Sequence, residues 1–260
     1  MRMLSLRHSR KNLIQPTTVS LPILWALVTV GTCCLHESVS MADKDKVEQT
    51  STADAKRTAS PKPDKDGWTP LFNEKNLDGW KSTNFGGEGE VYLEKGNVVI
   101  TQGVDLSGIN SSRKDLPLCN YEIEFEAQRA AGSDFFVGLT FPVRKSSCSL
   151  ILGGWGGGVC GLSSLDGMDA SENETTSYMA FTNGQWYKIR LKVTDDTIEA
   201  WLDKQQLVEV ETEDRKIDVR FEVEISKPLG FATYQSTAWI RKARIRQLPK
   251  AKSPQETTNE

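Results

Sequence analysis

Tyr121, Ile123, Phe125 and Ala127 alternate with Glu122, Glu124, Glu126 and Gln128, which predicts a strand with one apolar and one acidic face. Phe135, Val137, Leu139 and Phe141 alternate with Asp134, Phe136, Gly138 and Thr140, so this next strand is apolar on both sides and belongs in the middle of a sheet, with Asp134 on its polar face. Short apolar runs bounded by turn residues predict further strands at 97–101, 148–153, 158–163, 186–194, 197–203, 206–211, 219–225, 229–235 and 238–248. Helical period is nearly absent after Val91, and so many short strands make an all-β chain, a sandwich or a barrel.

One hairpin can be set in register. With Asp195 and Asp196 as the loop, Val193 faces Ile198, Lys192 faces Glu199, Arg190 faces Trp201 and Lys188 faces Asp203. The outward pairs are then two opposite charges and a guanidinium over an indole.

The termini have a different composition. Arg2, Arg7, Arg10 and Lys11 precede an apolar run over 19–30 and the small-residue triplet Ser38, Val39, Ser40, the layout of an export signal cleaved near residue 40. A rival reading places a lipid anchor at Cys33, the only membrane attachment the sequence offers. Residues 41–66 are polar, proline-containing and poor in large apolar side chains, which predicts a flexible spacer, and 249–260 form a similar tail. One domain, 67–248, remains, in an exported protein of the periplasm, cell envelope or extracellular space.

Charge and histidine content narrow the chemistry. The chain carries −3; without the first 40 residues, which hold four basic and one acidic residue, it carries −6 and has no basic patch, a poor profile for a nucleic-acid binder. Both histidines, His8 and His36, lie in the leader. A domain without histidine has no histidine-based triad or histidine-ligated metal, so acid–base work falls to Asp, Glu, Lys or Tyr. Cys119, Cys148 and Cys160 remain; Cys148 and Cys160 form a disulfide in one reading, and all three are buried thiols in the other.

The segment 152–176, LGGWGGGVCGLSSLDGMDASENETT, least resembles scaffold. Trp155 is flanked by Gly153, Gly154, Gly156, Gly157 and Gly158, leaving its indole unshielded as a platform for a pyranose face; the alternative is an indole folded back onto the core. Gly154, Gly156 and Asn173 join Trp155 as candidate substrate contacts. Asp166, Asp169, Glu172 and Glu174 follow, dense enough in oxygen for calcium or for paired catalytic carboxylates, though not at EF-hand spacing. With Asp134, the residues Asp166, Asp169 and Glu172 are the candidate catalytic acids. The tripeptides beginning at Asn110 and Asn173 are glycosylation sequons, meaningful in a eukaryotic secretory route.

The run 67–80, GWTPLFNEKNLDGW, closely resembles the opening signature of the 3-keto-disaccharide hydrolase domain family, with Glu74 where that family usually has glycine. Gly230, Phe231, Gln235, Trp239, Arg241, Arg244, Ile245, Arg246 and Leu248 resemble its closing strands, and Trp186, Ile189, Leu191, Trp201, Leu202 and Asp203 its middle. The resemblance implies a concanavalin A-like jelly roll, an antiparallel β-sandwich with a sugar site on one sheet. It also implies cleavage of a disaccharide oxidised at C3, whose ketone acidifies the C2 proton so that a carboxylate base can expel the aglycone. Arg144 and Lys145 are the cations offered for the enolate oxygen. Over 133–176 the chain departs from the family pattern, and no Glu-Gln-Asp strand can be placed there. The competing reading is a non-catalytic glycan-binding module of lectin or laminin-G type.

Overall fold

The computed structural model describes residues 62–250; the expected leader, the Cys33 anchor, the spacer up to residue 61 and the tail from 251 lie outside the described residues. Residues 62–66, expected to be spacer, run straight into the domain through a turn in which the Asp64 carboxylate accepts the backbone N–H groups of Asp66 and Trp68.

The early strands are β1 (Thr69–Pro70), β2 (Trp80–Ser82), β3 (Val91–Glu94), β4 (Asn97–Ile100), β5 (Leu106–Ser111), β6 (Tyr121–Gly132), β7 (Val137–Val143) and β8 (Ser146–Gly154). They continue with β9 (Val159–Ser163), β10 (Ser177–Tyr178), β11 (Tyr187–Val193), β12 (Thr197–Leu202), β13 (Gln205–Glu211), β14 (Gly230–Tyr234) and β15 (Ser236–Gln247). All pairings are antiparallel and form two sheets, one ordered β13-β12-β11-β6-β15-β4-β3 with β1 beside β15, the other β10-β9-β8-β7-β14-β5-β2. The described residues form an all-β antiparallel sandwich of the jelly-roll kind, which resolves the sandwich-or-barrel choice left by the strand pattern in the way the family resemblance implies.

Register decides what each face of the second sheet does. Ile109, Phe231, Leu139, Leu150 and Leu162 lie side by side across five strands and point into the core. One residue along, Asn110, Gly230, Thr140, Ser149 and Ser163 form the adjacent row on the outer face, all small or polar. A slip of one residue would exchange these rows. Phe231 also meets Phe72, Trp80 and Phe125 at ring separations of 5.8, 5.9 and 5.2 Å, tying the opening motif to both sheets.

The first sheet turns its charged rows outward. The predicted hairpin forms in the predicted register, with Lys192 on Glu199 at 2.7 Å and the Arg190 guanidinium 3.6 Å from the Trp201 ring centroid. Asp203 donates its backbone N–H to the Lys188 carbonyl and accepts the Lys188 N–H on its carboxylate, while the Lys188 ammonium goes to Glu124. The acidic row of β6 is answered by β15: Arg246 on Glu122, Arg244 on Glu124, and both Arg241 and Lys242 on Glu126. Arg241 joins because β15 shifts register between Arg241 and Arg244, with Lys242 at φ 53°. Glu74, in the place of the family glycine, likewise takes the left-handed φ of 59°.

Two sequence expectations are corrected. Residues 219–225 have strand-like alternation, but Phe221–Ser226 is a 3-10 turn. Both edges of β14 are already taken by β5 and β7, and Pro228 follows two residues after the turn, so the segment becomes a strap between strands. The Cys148–Cys160 bridge is not formed. Cys160 pairs with Leu152, four residues along β8 from Cys148, about 13 Å at strand rise, too far for a disulfide. Burial pushes the two thiols up to about 12 and about 11, respectively.

Two outcomes follow. Phe231→Ala should lower the unfolding free energy by about 3–5 kcal/mol, read from urea denaturation midpoints. Burial alone would push Glu124 and Glu126 up, but Arg244 and Lys188 on one and Lys242 and Arg241 on the other outweigh it and hold both below the usual glutamate range. A lowered folded pKa gives stability that is present above the unfolded value of about 4.3 and lost as pH falls through the folded one. Denaturation midpoints should therefore drop below about pH 4.3, and less steeply in Glu124→Gln than in the wild type.

Candidate functional site

The turn between β8 and β9 is built from left-handed residues: Trp155, Gly156 and Gly157 have φ of 50°, 88° and 112°. Gly157 is required by space as well, since a Cβ there would stand 2.5 Å from the Ser133 carbonyl oxygen. Tryptophan has no such licence; a bulky side chain in this region is strained by roughly 1–2 kcal/mol, and its indole is 45% exposed.

Asp134 holds the turn against the start of β7. Its two carboxylate oxygens accept the N–H groups of Phe135 at 2.7 Å and Gly156 at 2.8 Å. It sits in the bend before β7, not on the strand as the alternation suggested, because β7 begins only at Val137. Buried Arg129, at the far end of β6, supports the bend by donating to the carbonyls of Asp134 and Phe181 and to Asn183 Oδ1.

Between this turn and the strap lies a cleft of about 340 Å³ on the outer face of the second sheet. Trp155 and Asp134 line it together with Phe135, Tyr234, Ser163, Arg220 and Glu222, with Leu106, Ser149, Ile151 and Val223 completing the wall. Phe135 stacks on Tyr234 with centroids 6.0 Å apart, and lies over Gly138, where a Cβ would meet its ring at 3.0 Å. The negative charge of Asp105, with burial, pushes the Tyr234 phenol up, keeping it a donor at neutral pH. Ser163 is 2% exposed, and its hydroxyl has no hydrogen-bond partner among the described residues.

Arg220 and Glu222 bring charge to the cleft. Arg220 donates from Nη2 to Glu222 Oε1 at 2.8 Å and from Nη1 to Asp169 Oδ2 at 2.7 Å. Its bond to Glu222 pushes the guanidinium up and holds the Glu222 carboxyl below the usual range, so both are charged at neutral pH.

The structure brings only some of the expected residues to this cleft. Trp155 and Asp134 line it; Gly154 accepts the N–H groups that close the turn, and Gly156 donates to Asp134. Asp169 reaches it only through Arg220. Asp166 is a turn residue paired with Arg215 at 3.1 Å, Glu174 also contacts Arg215, and Glu172 is exposed in a neighbouring cleft. Buried Asn173 uses its amide on the carbonyls of Leu162 and Asp169 and on Thr175, so it builds the loop and faces no ligand. Arg144 is bound to Asp195 and Thr212 at the opposite end of the β7–β8 hairpin. Arg220, Glu222, Phe135 and Tyr234 carry no motif; the one signal was the polar–apolar alternation of 219–225, which reads as a strand. Among the described residues no group of three acids, cysteines or histidines gathers in metal-binding geometry.

The site is an aromatic-walled, charge-bearing cleft on one sheet of a jelly-roll sandwich, of the size of a small-ligand pocket. Residues 67–246 match the model of the 3-keto-alpha-glucoside-1,2-lyase-like domain, and the chain belongs to that family. No curated protein matches it. Solved structures similar in fold include a Parabacteroides distasonis ATCC 8503 protein named as a glycosyl hydrolase, at 17% identity and TM-score 0.47, covering 71% of this chain and 95% of that one. A carbohydrate-binding module of Bacillus subtilis is 14% identical with TM-score 0.42, covering 66% and 98% of the two chains. Domain 4 of an extracellular arabinanase of Geobacillus stearothermophilus, solved with arabinotriose, is 12% identical with TM-score 0.43, covering 66% and 84%.

Trp155→Gly removes the left-handed strain and the indole together. Its unfolding free energy should equal or exceed that of the wild type by up to about 1 kcal/mol in urea denaturation, since the exposed indole adds little burial.

Proposed function

We propose that the cleft binds a 3-keto glycoside and that the Arg220–Glu222 pair drives elimination of its aglycone. The observation that carries this reading is a carboxylate held ionised by a guanidinium in the wall of an aromatic cleft. The keto ring lies with its apolar face on Trp155 and against the Phe135–Tyr234 wall. The C3 ketone acidifies the C2 proton, which Glu222 removes while Arg220 stabilises the enolate oxygen. The C1–O bond then breaks, the departing oxygen takes the proton from the Glu222 carboxyl, and a C1–C2 double bond is left. Addition of water across that bond completes a net hydrolysis. Asp134, already accepting two N–H groups, positions the Trp155 turn.

No histidine is needed for this chemistry, and none of its steps calls for calcium. The protein acts in an exported compartment, delivered by the leader, with the spacer giving the domain reach.

The test is incubation of the full chain with a 3-keto disaccharide and with its unoxidised parent. The wild type should release the aglycone from the keto sugar alone. Glu222→Gln should reduce kcat by about 10²–10⁴-fold with an unchanged melting temperature, while Asp166→Ala and Glu172→Ala stay close to the wild type. Binding without turnover would instead make the domain a glycan-binding module.

A further inference from the structure

Beside the first cleft lies a second of about 400 Å³, and the two share Arg220 and Glu222 in their walls. Their floors are also continuous in the chain, Ser163 lining the first and Ser164 the second. Along the strap, Phe221 faces the second cleft and Val223 the first. Phe221 is 84% exposed, the most exposed large apolar side chain among the described residues. An aromatic ring left this open on a short turn has no packing role, and it stands where an occupant of the first cleft would emerge past the ion pair.

We propose that the two clefts are one site and that Phe221 is the platform for a second sugar ring, so that Phe221 sets the preference for a glycoside of at least two rings. This inference rests on the reading of the first cleft as a saccharide site. Each cleft falls in the range of a small-ligand pocket, about 300–1,000 Å³, so one ring fits in either and a linked pair spans both. The linkage then passes Arg220 and Glu222. The second ring is neutral: Asp169, Glu172, Asp218 and Glu222 outnumber Lys216 and Arg220 around the second cleft, so a uronate would meet excess negative charge.

Calorimetric titration of the full-length protein tests this, with a neutral 3-keto disaccharide and the methyl glycoside of its keto ring as probes, in the Glu222→Gln background to prevent turnover. That parent should bind the disaccharide about tenfold more tightly than the methyl glycoside. Adding Phe221→Ala should remove that difference while leaving the methyl glycoside affinity unchanged, and Phe221→Tyr should restore it. Adding Trp155→Ala should weaken both ligands. Equal binding of the two probes by the parent, or equal weakening of both by Phe221→Ala, overturns the second platform and leaves the first cleft intact. Binding of neither probe overturns both readings.

Discussion

The pairing register of the second sheet is the constraint on which the site depends. It turns Ile109, Phe231, Leu139, Leu150 and Leu162 into the core and, by the same two-residue period, sets Asn110, Gly230, Thr140, Ser149 and Ser163 on the outer face. Small residues there leave depth beneath the strap and beside Phe135. The apolar inner row fixes the register energetically, because a slip would turn serines and a threonine into the apolar core and five large side chains out of it. The core thus secures a shallow polar floor on the opposite face without any residue of that floor having to stabilise it.

The first sheet uses its outer face differently. There Glu122 and Glu124 are each held by cations from both neighbouring strands and Glu126 by two from β15, and Arg side chains cover Trp68, Trp186 and Trp201. Each of these carboxylates has its cationic partner, and Glu124, Glu126, Lys188 and Arg241 also line a cleft on that face. Around the Trp155 cleft the bonding is less complete: a tryptophan in a left-handed conformation, a buried hydroxyl with no partner and a phenyl ring in solvent are all unfavourable in isolation. They gather on one side of one sheet, which is the pattern expected where structure has been given over to binding.

Much of this was legible in the residues. Alternation placed β6 and β7, and opposite charges fixed the β11–β12 hairpin to the residue, because period two and cross-strand complementarity are local properties. Trp155 was legible too, since a tryptophan among five glycines has no neighbour to shelter it. The acids were not. Asp166, Asp169 and Glu172 are close in sequence to Trp155, but Asp166 pairs with Arg215, Asp169 reaches the cleft only through Arg220, and Glu172 lies in the neighbouring cleft. Glu222 lies about 70 residues away and reaches the cleft only because β14 had no free edge for 219–225 to join. That is a fact of sheet order, which no local pattern contains.

The most direct measurement is a crystal structure of Glu222→Gln soaked with a 3-keto disaccharide. The account predicts the keto ring against Trp155 and the Phe135–Tyr234 pair, with the glycosidic oxygen beside Arg220 and residue 222. A sugar bound instead on the Glu124–Lys188 face of the other sheet, with the cleft beside Trp155 empty, would contradict it.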